Sequence, residues 1–354
     1  MKLKKSLKYI LNAISYGVIA GLLALVFLPQ LRDSNNSLLD LLKITEHKPE
    51  PISYSRAVAA ASPAVVNIIS EAIQRTPGYN RVRRQAIDLG SGVIMDAKGY
   101  ILTALHVVQN ADLISVQLQS GQVYPADLIG YDTITDLAVL KVNATNLPAI
   151  PQSSDMVSKV GDVVLAIGNP YNLGQTVTQG IIGATGRVGL SNESYLNYLQ
   201  MDAAINKGNS GGALVNTNGE LVGINSAVFT PINRGDDAQG IFFSVPYQLA
   251  NKVMQEIIKN GRVIRGWLGI QADEVINANG TRGILISNIV PSSPAAEAGF
   301  EVNDIIIEFN NTSIGSINEV LKEVSETPPY TKLTFKVIRK SETLDLEVTV
   351  LEKK

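Results

Sequence analysis

The chain has 354 residues, which is enough for two or three domains of ordinary size. Its hydrophobic content is 45% and its charged content is 18%, so a packed globular protein is expected and extended disorder is excluded. The formal net charge of −2 gives no general attraction to nucleic acid, and the absence of cysteine excludes thiol catalysis and cysteine-ligated metals. We therefore expect no nucleic-acid partner, no cofactor and no metal site.

The N-terminus combines basic and apolar residues in a pattern typical of membrane insertion. A mainly apolar run from Tyr9 to Leu28 would span roughly 30 Å as a helix, about the thickness of one bilayer core. We predict a cytoplasmic segment over 1–8 and a transmembrane anchor over 9–28, with the rest of the chain exported. A cleaved signal peptide is the alternative, although the run is long for one and lacks a small-x-small cleavage site. The basic residues are Lys2, Lys4, Lys5 and Lys8.

Residues 29–53 are polar, contain Pro49 and Pro51 and show little periodicity, which predicts a linker. Beyond it, short runs rich in Val and Ile alternate with turns, and this spacing predicts an all-β barrel or sandwich. A helix over 246–259, with aliphatic side chains on one face, closes this domain. The predicted strands are 64–70, 92–95, 100–103, 114–118, 123–129, 137–142, 163–167, 177–184, 213–215, 221–227 and 241–245.

A smaller unit follows Arg265, where strands are interspersed with two helices over 294–298 and 317–324. The whole pattern predicts a β-rich domain over 54–262 and a small α+β domain over 263–354. The strands of the second domain are predicted at 268–271, 283–289, 304–309, 333–338 and 344–351.

A glycine-rich turn over residues 208–212, with the sequence GNSGG, is the strongest candidate for a catalytic feature. Glycines permit turn conformations closed to other residues and leave backbone N–H groups free to converge on an oxyanion. Ser210 is therefore a candidate nucleophile. An ordinary turn between two strands is the alternative, so a catalytic role requires a base and an acid elsewhere in the chain.

The sequence has two histidines that could serve as the base. His47 lies in the predicted linker, whereas His106 follows a predicted strand and is the stronger candidate. Asp136 enters an apolar strand, where a buried carboxylate can accept a hydrogen bond from an imidazole. We expect the nearby Asp132 to lie in a turn and face solvent. The order His106, Asp136, Ser210 is that of chymotrypsin-type triads.

Four segments taken together carry a resemblance to a known family. From about Tyr54 to the C-terminus, the chain resembles the HtrA family of serine proteases. The resemblance implies a mainly β protein, with a chymotrypsin-like double β-barrel in which His106, Asp136 and Ser210 form a catalytic triad. The segments are GSGVI at 90–94, TALHVV at 103–108, TDLAVL at 135–140 and GNSGG at 208–212.

The resemblance also implies how the site binds and controls its substrate. The N–H groups of Gly208 and Ser210 would form the oxyanion hole, and reorienting the Lys207–Gly208 peptide would switch that hole off. Ala204 and Ile205 would line the S1 pocket. With no carboxylate there to bind Lys or Arg, we predict small or medium apolar residues before the scissile bond.

The segment SPAAEAGFEVNDII at 293–306 is similar to the PDZ signature of HtrA proteases. Asn303 stands where glycine is usual, a change that is tolerable at positive φ. The resemblance implies that a peptide's C-terminal carboxylate binds the loop and strand at 267–270 and that the peptide adds as a strand beside a helix. The alternative is that these side chains only form the core. The predicted groove residues are Trp267, Leu268, Gly269, Ile270, Val320 and Leu321.

A single PDZ domain and the predicted anchor favour a regulatory protease over a bulk degrader. The resemblance implies a homotrimer in the bacterial inner membrane with its catalytic domain in the periplasm. It also implies that the PDZ domain senses C-termini of unfolded outer-membrane proteins and that the protease performs site-1 cleavage of an anti-sigma factor in the envelope stress response. A segment over 183–198, including Arg187, would relay peptide binding to the oxyanion turn. The alternatives are a general periplasmic protease and chaperone of the HtrA type and a catalytically silent peptide-binding module.

Overall fold

The structure, a computed structural model, divides into two units, Met1–Ser53 and Tyr54–Lys354. In the first unit, helix α1 spans Lys2–Phe27. No helix in the described ranges is both long and apolar enough to cross a membrane. The anchor over 9–28 stays a prediction. His47 and nearly all of the predicted linker lie outside the described residues. The described residues are 2–27, 53–75, 82–170, 174–187, 196–226, 240–276 and 282–353.

The second unit begins with a short helix, α2 (Ser55–Ala61), which leads into a closed antiparallel barrel of six strands. The order of strands around this barrel is β1-β2-β3-β6-β5-β4. Fully buried aliphatic side chains such as Ile68, Leu102 and Leu140 fill its interior. The strands are β1 (Val65–Arg75), β2 (Val82–Ile94), β3 (Tyr100–Ala104), β4 (Leu113–Gln117), β5 (Val123–Asp132) and β6 (Leu137–Val142).

A second closed barrel of six strands follows, in the order β10-β11-β12-β9-β8-β7. Strand β9 is the one the sequence did not predict, because Gln200 interrupts its four residues, YLQM, and leaves neither a continuous apolar run nor a regular alternation. Its buried Tyr198, Leu199 and Met201 complete the barrel between β8 and β12. The strands are β7 (Val163–Gly168), β8 (Thr176–Arg187), β9 (Tyr198–Met201), β10 (Ala213–Val215), β11 (Leu221–Ser226) and β12 (Phe242–Pro246).

Two helices accompany the barrels. A single helical turn, α3 (Leu105–Val108), follows β3 directly and carries His106. Helix α4 (Tyr247–Asn260) follows the second barrel and lies within one residue of its predicted bounds at each end. Its apolar face, which includes Ala250, Val253 and Ile257, is buried in the same hydrophobic core as the first barrel.

The C-terminal domain is a five-stranded antiparallel sheet, with β17 as a sixth strand against β16 and a separate β13–β20 pair. Ile286, Phe335 and Val337 are buried at its centre. Asn303 has φ 76, which confirms the positive φ expected there. The double barrel and the α+β domain are thus confirmed. The elements are β13 (Gly266–Trp267), β14 (Ile270–Ile276), β15 (Arg282–Ile289), α5 (Pro294–Glu297), β16 (Ile305–Phe309), β17 (Thr312–Ser313), α6 (Ile317–Glu326), β18 (Lys332–Arg339), β19 (Glu342–Thr349) and β20 (Leu351–Glu352).

Candidate active site

His106 and Asp136 form a rigid pair on the first barrel. Asp136 has φ 55, a left-handed conformation that aspartate adopts more readily than most residues. Its Oδ2 lies 2.6 Å from His106 Nδ1, and its Oδ1 accepts the backbone N–H of His106 at 3.0 Å. Its carbonyl accepts the N–H of Leu105 at 2.8 Å. These contacts favour a proton on Nδ1, which leaves Nε2 as the basic nitrogen.

Asp132 does not face solvent as predicted. It is 5% exposed, and Thr135 donates to its Oδ2 through the backbone N–H and the hydroxyl. The Arg265 guanidinium, which precedes the PDZ domain, forms a two-pronged ion pair with the same carboxylate, with Nη2 2.7 Å from Oδ2. The reason is tertiary, because the partner cation lies far along the chain. Sequence reasoning missed Arg265 for this reason, and no local signal identified it.

The Ser210 turn lies between the two barrels and joins β9 to β10. Ser210 is 3% exposed, and its carbonyl accepts the N–H of Ser91 on β2 at 2.9 Å. The next N–H, that of Gly211, donates to the Asn225 carbonyl on β11 at 2.8 Å. The turn is therefore bonded to the first barrel on one side and to the second barrel on the other.

The two glycines after Ser210 permit this close approach. Gly211 has φ 80, and a Cβ on it would lie 2.3 Å from the Ser91 carbonyl oxygen and 2.5 Å from Thr103 Oγ1. A Cβ on Gly212 would lie 2.3 Å from the carbonyl oxygen of Ile167. Since real Cβ atoms do not approach other atoms so closely, both positions require glycine. Thr103 is three residues before His106 in the sequence, so this packing also brings the serine turn to the histidine.

The predicted oxyanion donors are available. Among the described residues, none accepts a hydrogen bond from the N–H of Gly208 or of Ser210. The Gly208 carbonyl accepts a hydrogen bond from the Ser91 hydroxyl at 2.7 Å. Within the same described set, the Ser210 hydroxyl makes no hydrogen bond to His106. Such contacts are often long without substrate and shorten in the reacting complex.

The predicted S1 residues precede this turn. Ile205 is 6% exposed and belongs to the hydrophobic core of the second barrel. Ala204 is half-buried, and its carbonyl accepts the Thr178 hydroxyl on β8 at 2.8 Å. The nearest carboxylate in the sequence, that of Asp202, accepts the N–H of Ile181 at 2.6 Å.

The predicted relay segment implied that Arg187 lies in a loop. In the structure Arg187 is instead the last residue of strand β8. Its Nε donates to Gln200 Oε1 at 2.8 Å on the exposed side of the barrel. Residues 188–195, the central part of the predicted segment, lie outside the described residues.

The predicted peptide groove lies along β14, which is an edge strand of its sheet, beside helix α6. Leu268 and Val320 are buried in the domain core, at 4% and 6% exposure. Trp267, Ile270 and Leu321 are half-buried. Gly269 has φ 81 and lies between β13 and β14. The free edge leaves backbone groups to which an extended peptide can add.

Within the described part of the chain, no group of three or more His, Cys, Asp or Glu side chains could hold a metal ion. The polar groups at the junction of the two barrels include an imidazole with its carboxylate partner, a serine hydroxyl and two N–H donors that no described residue engages.

Two family models match separate parts of the chain. Residues 90–224 match the trypsin-like peptidase domain, and residues 266–350 match the PDZ domain. Serine endoprotease DegS of Escherichia coli K12 is 47% identical over 351 residues, which is 97% of this chain and 98% of that protein.

Two solved structures share the fold. The serine endoprotease from Yersinia pestis superposes with a TM-score of 0.71 at 47% identity and covers 86% of this chain and 99% of its own. The HtrA-type protease AlgW, solved with a decapeptide, superposes with a TM-score of 0.78 at 39% identity and has the same coverage, 86% and 99%.

Proposed function

Because this chain belongs to the HtrA family of serine endopeptidases, we propose that Ser210 is its nucleophile, His106 its general base and Asp136 the acid that orients the base. The observation that carries this assignment is the 2.6 Å contact between His106 Nδ1 and Asp136 Oδ2, beside a serine turn with two unengaged N–H donors. Each group has the chemistry that its role requires.

Ser210 Oγ attacks the carbonyl carbon of the scissile peptide while His106 Nε2 takes the hydroxyl proton. The carbonyl electron pair moves to oxygen, and the N–H groups of Gly208 and Ser210 stabilise the resulting oxyanion. His106 then gives the proton to the leaving amine, and water hydrolyses the acyl-enzyme by the same steps. Asp136 stabilises the imidazolium throughout.

The proposal extends to the residue before the scissile bond, which we expect to be small or medium and apolar. Ala204 and Ile205 supply no charge to bind Lys or Arg, and the Asp202 carboxylate is already bonded to the backbone of β8. Cleavage of matched peptides with Val, Ala or Arg at this position tests it. Preference for Arg would contradict this pocket assignment.

The PDZ domain is proposed to bind free C-termini of unfolded outer-membrane proteins and thereby stimulate the protease. The exposed edge of β14 beside α6 supports this role. The solved structure of the HtrA-type protease AlgW with a decapeptide also supports it. The substrate is then an anti-sigma factor, cleaved at site 1 of the envelope stress response. Resemblance to DegS over nearly the full chain favours this assignment.

Arg187 is proposed to relay peptide occupancy to the oxyanion turn. Its contact with Gln200 links the start of the 188–195 segment to β9, a neighbour of the catalytic turn in sequence. We expect Arg187→Ala to retain basal cleavage and lose stimulation by peptide, with the exposed Arg282→Ala as the control. Normal stimulation of Arg187→Ala would remove this residue from the relay.

The protein is further proposed to be a trimer, packed near Tyr54, that is held at the inner membrane through α1 and works in the periplasm. Several apolar side chains of α1 are exposed over more than half their surface, including Tyr9, Leu22 and Phe27, and need a cover. Alkaline extraction of membranes decides the location, since a protein that is released there does not span the bilayer. The oligomeric state is tested separately. Light scattering measures the molar mass of the purified protein, and the mass of a monomer would contradict the trimer.

The central test is cleavage by the full-length protein during titration with peptides that have apolar C-termini, free or amidated. We expect the free carboxylate to stimulate cleavage and the amide to have little effect, because only the carboxylate can accept hydrogen bonds from the backbone N–H groups of the predicted binding segment, 267–270. Equal stimulation would contradict carboxylate capture.

Ser210→Ala is the control for catalysis, and labelling with a fluorophosphonate distinguishes the alternatives. A silent peptide-binding module would bind the peptide without labelling at Ser210. A general periplasmic protease of the HtrA type would digest unfolded proteins without the free-carboxylate requirement. A regulatory protease would label, and would cleave only with the free-carboxylate peptide.

A further inference from the structure

Ser91 lies next to the catalytic turn, yet neither the triad nor the oxyanion hole includes it. It is on strand β2 of the first barrel, between Gly90 and Gly92, and is completely buried. Serine is an unusual choice for the interior of a barrel, because its hydroxyl must find partners that replace water. The structure gives it such partners on the second barrel.

The Ser91 hydroxyl makes two hydrogen bonds at once. It donates to the Gly208 carbonyl at 2.7 Å and accepts the backbone N–H of Asn169, just after β7, at 2.8 Å. Because a hydroxyl has one proton, accepting from Asn169 commits that proton to Gly208. The Ser91 backbone holds the same turn, since its N–H donates to the Ser210 carbonyl at 2.9 Å.

Ser91, a residue of the opposite barrel, thus bonds the carbonyls of two residues of the oxyanion turn, Gly208 and Ser210. Gly208 has φ 103, a conformation that glycine can leave easily, so its own chain does not determine where its N–H points. The bond to the Gly208 carbonyl limits rotation of that residue. The Ser91 N–H holds the Ser210 carbonyl as well, so Ser91 restrains both residues whose N–H groups would form the oxyanion hole.

We propose that Ser91 is a positioning residue for the oxyanion hole: its hydroxyl holds Gly208 so that the Gly208 N–H faces the substrate carbonyl. The inference rests on the proposed roles of Gly208 and Ser210. Ser91 itself touches no substrate atom. Its effect is therefore on stabilisation of the tetrahedral intermediate and not on binding of the intact peptide.

The test compares Ser91→Ala with wild-type full-length protein and with Ser244→Ala. Ser244 is another fully buried serine, and its hydroxyl donates to Asn225 Oδ1 at 3.1 Å within the second barrel. Ser244→Ala therefore reproduces the loss of stability expected when a buried hydroxyl and its hydrogen bond are removed. A chromogenic peptide with Val before the scissile bond is the substrate, at the same saturating concentration of stimulating peptide throughout. Thermal unfolding of all three proteins is measured alongside.

We expect Ser91→Ala to lower kcat by roughly 10- to 100-fold with KM within about twofold, because loss of a complete oxyanion donor has a larger effect of about 10² to 10³. A peptide aldehyde with the substrate's sequence, whose hemiacetal oxygen occupies the oxyanion hole, should lose affinity by the same factor. The corresponding peptide alcohol, which forms no adduct, should bind unchanged. Ser244→Ala should keep kcat within about threefold at a similar unfolding temperature.

Retention of wild-type kcat by Ser91→Ala would overturn the proposal, and so would equal losses of aldehyde and alcohol affinity. Failure of the proposed function looks different, because wild-type protein would then neither cleave the peptide nor react with a fluorophosphonate. That result would refute both the catalytic assignment and the role of Ser91.

Discussion

The two halves of the proposed catalytic site are held in opposite ways. On the first barrel, Asp136 bonds the ring and the backbone of His106, and both lie within one run of chain from β3 to β6. On the second barrel, the Ser210 turn depends on contacts with Ser91 and Thr103 across the barrel interface. The base and acid are therefore fixed locally, and the nucleophile is fixed only when the barrels pack together.

The Ser210 turn also contains a buried polar side chain that makes no hydrogen bond in the described part of the chain. The Asn209 side chain is 1% exposed, and neither of its amide atoms has a partner among the described residues. A buried amide without hydrogen bonds is unfavourable by a few kcal/mol. The two halves differ in where their contacts come from: those of His106 and Asp136 come from nearby parts of the first barrel, whereas several contacts of the Ser210 turn come from the opposite barrel and would change if the two barrels shifted.

The largest effect should come from a change at Asp136, in the histidine half of the site. We expect Asp136→Asn to lower kcat by about 10⁴-fold with little loss of stability, because the amide favours the wrong tautomer of His106. Steady-state cleavage of the chromogenic peptide measures this effect. Asp155→Asn, an exposed aspartate bonded only to Ser154 among the described residues, is the matched control and should be silent. A loss below about tenfold would show that Asp136 does not orient the base.

The serine half should be sensitive to packing between the barrels. Gly211→Ala should lower the free energy of unfolding by about 3–5 kcal/mol and cleavage by at least about 10²-fold, since strain at positive φ adds to a clash with Ser91. Gly121→Ala isolates the strain, because Gly121 has φ 87 and open space around its Cβ position. Urea unfolding and kcat of the two variants separate the effect of backbone strain from the effect of the clash with Ser91. Equal effects at both sites would contradict tight packing of the turn.

The Asp132–Arg265 pair extends the comparison to the contact with the PDZ side of the chain. Arg265→Ala should destabilise the protein by about 3 kcal/mol, because it leaves a buried carboxylate without its cation. The exposed pair of Lys252 and Glu326, 3.0 Å apart, provides the contrast, and Lys252→Ala should change stability by less than about 1 kcal/mol. Equal changes in urea unfolding would mean that burial does not distinguish the two pairs.

The smallest predicted effect is a pH dependence within the PDZ domain. Burial raises the pKa of Asp304, but hydrogen bonds from Arg339 and the Glu301 N–H, with the charge of Arg339, outweigh it and leave the pKa below its usual value. Its stabilising contribution is therefore present above the unfolded pKa of about 3.9 and is lost as pH falls through the lower folded value. Thermal unfolding of wild type and Asp304→Asn from pH 6 to pH 2 should converge on acidification. A constant difference would contradict the assignment.

Most of the fold could be predicted from patterns along the chain. Eleven strands of the two barrels alternate or run apolar over at least three residues and are bounded by turn residues, and helix α4 has a clear apolar face. Strand β9 was missed because Gln200 interrupts its apolar residues, and the α3 turn was missed because a single turn has no period. The position of Asn303 at positive φ followed from its place in a motif.

The sequence by itself determined the chemistry: which serine, which histidine of two and which aspartate are available in the order of a triad, and how many domains follow. The tertiary structure alone decided that Asp132 is buried against Arg265, that Gly211 and Gly212 serve the packing of two barrels, and that Ser91 reaches Gly208. The physical reason is distance along the chain. Motifs record local requirements, whereas Asp132 and Arg265, Ser91 and Gly208, and Gly211 and Ser91 are each more than a hundred residues apart and meet only after both barrels have closed.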